Sequence, residues 1–267
     1  MDWSKTKSIF IIVFLILDIF LMSLLINKVS ESNPETLSQA TFEDKLKADK
    51  IDYPKTLSKD RMEEKYIVAK SRKFTDDDLK ALKNQEANII NENTIHATLN
   101  EPYALEKDFS EDDLNDFMKT ELIGGDKYSY WQYNQDEQSI IYYQTYRGRQ
   151  LFNNTNGKII LNMNNENEIV SYKQSMLEDL NEFGENKPII PSFEAMQALY
   201  TSQKISPGSE VKKPKLGYWT FLAEESQVLA PTWHFVVKSG DKEEDLFINA
   251  VEGNIVEVTK PEKETLE

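Results

Sequence analysis

The sequence predicts an α+β protein in which one transmembrane helix is followed by helices packed on antiparallel sheets. Three observations carry this. Residues 9–26 are an almost unbroken apolar run. Beyond them, Ser or Thr followed by acidic residues repeatedly opens a short helical pattern. Between those patterns lie alternating, β-branched and aromatic stretches punctuated by Arg147-Gly148, Asn156-Gly157 and Asn164-Asn165 turns.

The apolar run comes first. Sixteen of the eighteen residues from Ile9 to Ile26 are apolar. With Ser8 and Asn27 the helix would be about 30 Å long, the thickness of a bilayer's hydrocarbon core. Lys5 and Lys7 precede it, and the chain turns acidic at Glu31 and Glu35. The positive-inside bias therefore predicts a cytoplasmic tail (1–8), a span (9–27) and an extracytoplasmic remainder. A cleaved signal peptide fits less well, because its apolar region is shorter and ends at a small-residue site, unlike Asn27-Lys28-Val29.

Residues 28–40 read as a juxtamembrane spacer. Thr41 would cap a helix to Lys50 with Phe42 and Leu46 on one face, and Tyr53-Pro54 stops it. Lys65–Lys73 reads as a strand, Thr75 opens a helix to about Gln85, and Thr94–Leu99 alternates as a strand. Ser110 opens a helix that Gly124-Gly125 ends. Strand text runs from Tyr128 to Tyr172. Glu185–Pro191, with prolines at 188 and 191, reads as a linker, and Ser192 caps a helix carrying Phe193, Met196, Leu199 and Tyr200. Strands follow at about 216–223, 232–238, 245–250 and 253–258, before a charged tail (260–267). The predicted subdomains are thus 41–185 and 186–259. An echo supports duplication: Asn153-x-x-x-Gly157-x-Ile159-Ile160 recurs as Asn249-x-x-x-Gly253-x-Ile255-Val256, although glycine turns before β-branched residues are also ordinary hairpin grammar.

Composition narrows the function. The chain holds 31 basic and 46 acidic residues; leaving out residues 1–28, 28 basic face 44 acidic, a net charge of −16. Such a surface repels phosphate backbones, which argues against nucleic acid as a partner. With no cysteine, disulfides, thiol chemistry and Cys-ligated zinc are excluded. No G-x-S-x-G, P-loop or H-E-x-x-H motif is present. His96 and His234 read as strand histidines without catalytic company, His234 turned away from its neighbours Trp233 and Phe235. The acidic runs at 76–78 and 111–113 read as first-turn helix acids, and 243–245 as a solvated hairpin face. No catalytic, cofactor-binding or metal-binding residue is therefore expected, and the chain is read as a non-enzyme.

Two groups remain as candidates for contact. Asp18 stands mid-span, where a carboxylate costs a few kcal/mol and marks a functional position by default. Phe14, Leu15, Leu21 and Met22 share its helical face and would meet another membrane helix. In the outer part, Tyr128, Tyr130, Trp131, Tyr133, Tyr142, Tyr143 and Tyr146 form an aromatic cluster that suits either cross-strand packing or a protein interface.

The opening Met1-Asp2-Trp3-Ser4-Lys5-Thr6-Lys7 with Ile9-Phe10-Ile11-Ile12-Val13-Phe14-Leu15-Ile16-Leu17-Asp18 closely resembles the YycI (WalI) family of Gram-positive membrane-anchored accessory proteins. Gly217-Tyr218-Trp219, Ala230-Pro231-Thr232-Trp233 and Asn249-Ala250-x-x-Gly253 extend the likeness, in pieces that also resemble generic PepSY modules. The resemblance implies two PepSY/YycH-like subdomains and a regulator that acts, with a YycH paralogue, on the sensor histidine kinase YycG (WalK). That two-component system controls cell-wall metabolism, and contact is through transmembrane helices. An anchored PepSY-like binding or inhibitor module for an exported enzyme is the alternative. The sign of regulation and any homodimer of the outer domain stay open.

Overall fold

The computed structural model describes Lys7 and residues 13–15, 17–18, 21–22, 37–106, 109–220 and 224–258. It divides into two compact units, residues 1–52 with 206–208, and residues 53–205 with 209–267. In the first unit, α1 (Leu37–Ala48) starts before Thr41, which therefore lies inside the helix and not at its cap. A left-handed Lys50 ends the segment: Ile51 N–H donates to the Leu46 carbonyl and Lys50 N–H to that of Lys47, satisfying carbonyls the helix leaves unpaired. Among the described residues no helix is long and apolar enough to cross a membrane. The span expected over 9–27 falls largely on residues outside those described.

The second unit is sheet with a few short helices, an α+β arrangement. It begins with β1 (Met62–Ser71) and α2 (Asp76–Ala81). The helix is shorter than the acidic pattern suggests, because Leu82 is already extended and Gln85 opens β2 (Gln85–Ile90), a strand the sequence reading missed. β3 (Thr94–Ala104) follows. After Ser110 the expected helix splits into a 3-10 turn (Asp112–Leu114) and α3 (Asn115–Glu121). Then come β4 (Tyr128–Asn134), β5 (Ser139–Tyr146), β6 (Arg149–Phe152), β7 (Lys158–Met163) and β8 (Glu168–Ser175). These build an antiparallel sheet in the order β4-β5-β7-β8-β3-β2. Leu114, Phe117 and Met118 bury their side chains against Ile95, Ile140, Ile159, Leu161 and Tyr172 of that sheet. Most of these residues recur at alternate strand positions and so share one face, which is what a helix-covered antiparallel sheet requires.

The linker reading of Glu185–Pro191 is corrected. That stretch ends β9 (Leu177–Ile189), which pairs along its length with β1, from Met62↔Ile189 to Ser71↔Leu177. Bulges at the left-handed Asp179 and Gly184 absorb the glycine and acids that made it look like loop. Ser192, expected to cap the next helix, is instead the first residue of α4 (Ser192–Thr201), and its Oγ accepts the Ser58 N–H at 2.9 Å.

A second sheet follows, with β10 (Glu210–Val211), β11 (Lys215–Trp219), β12 (Ser226–Ser239), β13 (Lys242–Asn249) and β14 (Ile255–Val256). β12 organises it: its first residues pair with β1, its middle with β11, its end with β10, and Thr232–Ser239 with β13. β6 joins the two sheets. It leaves the β5 hairpin at Thr145↔Gln150 and runs parallel to β11 at Leu151↔Tyr218.

Candidate functional site

The aromatic run from Tyr128 to Tyr146 occupies adjoining strands, and the pleat divides it. Tyr128, Tyr130, Tyr133 and Tyr142 turn toward the helix-covered core. The Tyr128 hydroxyl donates to the Ser175 carbonyl at 2.6 Å, and Tyr130 meets Tyr142 edge-on at 5.7 Å. Tyr142 is buried with its hydroxyl unpaired, and burial raises its pKa well above the usual phenol value. Tyr146 stands apart, edge-on to Tyr218 at 6.3 Å and beside the Arg147 guanidinium.

Trp131 goes the other way. Tyr130 pairs with Tyr142 and Gln132 with Ile141, so Trp131 is the extra residue of a bulge. A bulge re-aims its side chain. Here the indole joins Tyr143 (5.6 Å), His234 (4.9 Å), Phe152 (6.1 Å) and Phe247 (6.2 Å) in a second ring cluster, which Trp219 and Val256 complete. The cluster lies between β4–β5 of the first sheet and β6, β11, β12 and β13 of the second. Burial and then the charge of Asp245 push the Tyr143 hydroxyl up to about 12.

His234 is the residue that sequence reasoning placed least well. It does face away from Trp233 and Phe235, but that side holds rings and no open solvent. The imidazole stacks on Phe247 at 4.8 Å with 18° between the planes, and its Nε2 lies 2.7 Å from Asp245 Oδ1. Asp245 thus holds the imidazole by a hydrogen bond as well as forming part of a hairpin face. The signal was available: the Gly240-Asp241 turn sets the β12–β13 register, which pairs Phe247 with His234 and puts Asp245 one diagonal away.

A second polar group lies at β1, β6 and β9. Glu63, Glu64, Lys65, Arg147, Arg149 and Glu182 line a cleft of about 300 Å3. Five of its six charges are mutually paired: Arg149 with Glu64 at 2.5 Å, Lys65 with Glu182 at 3.0 Å, and Arg147 with Glu182, while Glu63 accepts from the Asn186 amide. Glu64 raises the pKa of Arg149, while Lys65 and then Arg147 hold Glu182 below the usual carboxylate range. Such a cleft is a tie between strands more than a receptor for a charged ligand.

The helix-contact candidates Phe14, Leu15, Asp18, Leu21 and Met22 are helical and exposed, the four apolar ones each by more than half. Among the described residues no group of three or more His, Asp or Glu side chains could hold a metal ion.

A family model described as YycI protein matches residues 30–251. Several solved structures resemble the chain, these three among them. An uncharacterized protein from Eubacterium rectale has TM-score 0.45 at 10% identity, covering 74% of this chain and 87% of that one. The YpeB C-terminal domain of Bacillus megaterium has 0.42 at 12%, covering 73% and 87%. YycH from Bacillus subtilis has 0.37 at 13%, covering 68% and 52%. A comparison with curated proteins finds no match.

Proposed function

The chain belongs to the YycI family, and on that membership we propose that it is a membrane-anchored, non-enzymatic accessory regulator of the sensor histidine kinase YycG (WalK), acting with a YycH paralogue. The family match over residues 30–251 carries the proposal. The span at 9–27 is its anchor, with the amino terminus in the cytoplasm and the chain beyond Lys28 outside. Asp18 and the apolar residues Phe14, Leu15, Leu21 and Met22 that share its helical face are the surface that would make this contact inside the bilayer. A helix contact of this kind shifts a two-state kinase only by binding one state better than the other. Asp18 supplies a means of discrimination, since a carboxylate in hydrocarbon seeks a polar partner.

The test is cross-linking and co-purification from intact membranes, comparing the parent with a chain whose residues 9–26 are replaced by an unrelated apolar helix of equal length. Equal surface levels with loss of the kinase support the reading. Equal recovery of the kinase would move the contact to the outer part. Recovery of an exported enzyme in place of the kinase would favour a PepSY-like inhibitor.

A further inference from the structure

A cavity of about 390 Å3 lies where β4 faces β6 and β11. Ser129 and Tyr130 line it from β4, and the buried Phe152 and Leu216 give it an apolar wall. Gln150 is fixed there, its Nε2 donating to the Ser129 and Tyr130 carbonyls at 3.2 Å each, while its Oε1 accepts no hydrogen bond among the described residues. Gly148 also borders the cavity, and a Cβ there would meet no atom within 4 Å, so this side stands open. Two exposed, opposite charges complete the lining, Glu111 and Lys215. Among the described residues neither side chain has a hydrogen bond or an ion pair, with each other or with any third group. Glu111 is the spare member of its acidic run: Asp112 accepts from the Asn115 amide, and Asp113 from the Ser110 N–H and hydroxyl. The Tyr142 hydroxyl, buried without a partner, feels the Glu111 charge.

We propose that this cavity binds a small zwitterion with an apolar side chain, a free amino acid or a short peptide with free ends, whose ammonium meets Glu111 and whose carboxylate meets Lys215. The chemistry of the lining selects that class. A phosphate-bearing ligand would find one lysine and be repelled by Glu111. A metal ion would find a single carboxylate, and no group of three ligating side chains occurs among the described residues. A wholly apolar ligand would take two charges out of water with nothing to pair them. A zwitterion pairs both, while Ser129 and the Gln150 Oε1 offer further polar contacts and Phe152 and Leu216 an apolar one. Ligand sites of this kind are concave, with an apolar wall and a few converging polar groups. The cleft at β1, β6 and β9 lacks this property, because its opposite charges already satisfy one another. The site lies wholly within the second unit, and it stands or falls separately from the kinase reading.

The test is calorimetric titration of the full chain in non-ionic detergent micelles with L-leucine and with L-alanyl-L-leucine, each also as its N-acetylated and its C-amidated form. At least one unblocked probe should bind with Kd of about 1 mM or tighter, and the tighter of the two tells amino acid from peptide. Blocking either end should weaken that probe roughly tenfold or more, because each block removes a charge-assisted contact. Glu111→Gln should bind the free and the acetylated amine alike while still preferring the free carboxylate, and Lys215→Gln should do the reverse. Both substitutions alter exposed side chains, and an unchanged urea midpoint checks that each variant is folded. The blocked probes act on the parent chain, so the result does not hang on any variant folding. No binding of either unblocked probe, equal binding of free and blocked forms, or folded variants that keep both preferences would overturn the site.

Discussion

Gly217 shows how much one missing side chain can determine. A Cβ there would run into the Gln150 carbonyl and the Phe152 ring, so only glycine lets Phe152 lie across β11 and reach the ring cluster. Gly217→Ala should cost about 1–3 kcal/mol through overpacking, read as a lower urea midpoint at unchanged slope. Gly148, with φ +75° and open space around it, is the contrast: alanine there should cost only about 1 kcal/mol of backbone strain. Equal costs at both positions would mean that the rings are loosely packed. Asp113 makes a pH prediction. The Ser110 backbone N–H, and then its hydroxyl, donate to this carboxylate and hold its pKa below the usual aspartate value. A pKa depressed by folding adds stability above the unfolded value, about 3.9, and loses it as pH falls through the lower folded value. Ser110→Ala removes only the hydroxyl's share and keeps the backbone N–H, so the Asp113 titration, followed by carboxyl NMR, should move part of the way back and stay below that ordinary value. The Ser-acid pattern was legible at Ser110. At Ser192 the same pattern misled, because Ser58, 134 residues away, claims the hydroxyl.

At the scale of elements, α2 is a case where local chemistry sufficed. Thr75 accepts the Asp78 N–H while the Asp78 carboxylate accepts the Thr75 N–H, a capping box written in four consecutive residues. Thr75→Ala should lower stability by about 1 kcal/mol in thermal or urea unfolding. The β1–β9 ladder is the opposite case. Gly184, Glu185 and Pro188 argue for loop when read locally, and only pairing with β1 makes them strand. The Glu64–Arg149 bridge ties that ladder to β6, with Glu64 16% and Arg149 35% exposed. Glu64→Gln leaves the guanidinium with a neutral partner and, allowing for solvent screening, should cost about 1 kcal/mol. A double-mutant cycle with Arg149→Gln should recover most of it as coupling; no coupling would show that the two strands hold without the bridge.

For the whole molecule, the predictions concern placement in the membrane. If Lys5 and Lys7 lie inside, as proposed, protease added to intact wall-stripped cells should digest the chain beyond about residue 40, and a protected carboxyl terminus would reverse the orientation. Asp18→Leu eases insertion, so any association it loses cannot be blamed on failed anchoring; the expected loss is about 0.5–2 kcal/mol, the range for polar contacts between membrane helices. Asp18→Asn should keep part of it. What the sequence determined by itself were properties set within a few neighbouring residues: the apolar run at 9–26, the α2 capping box, the alternation that makes β3 to β8 strands, the absence of thiols, and the opening that resembles the YycI family. Those depend on period, charge and composition, which are local. Tertiary structure alone decided that β9 is a strand, that Trp131 leaves its neighbouring tyrosines, and that His234 meets Asp245 among rings. Each of these depends on register between strands distant in the chain, and a register is set by packing and turn geometry that no short stretch of sequence contains.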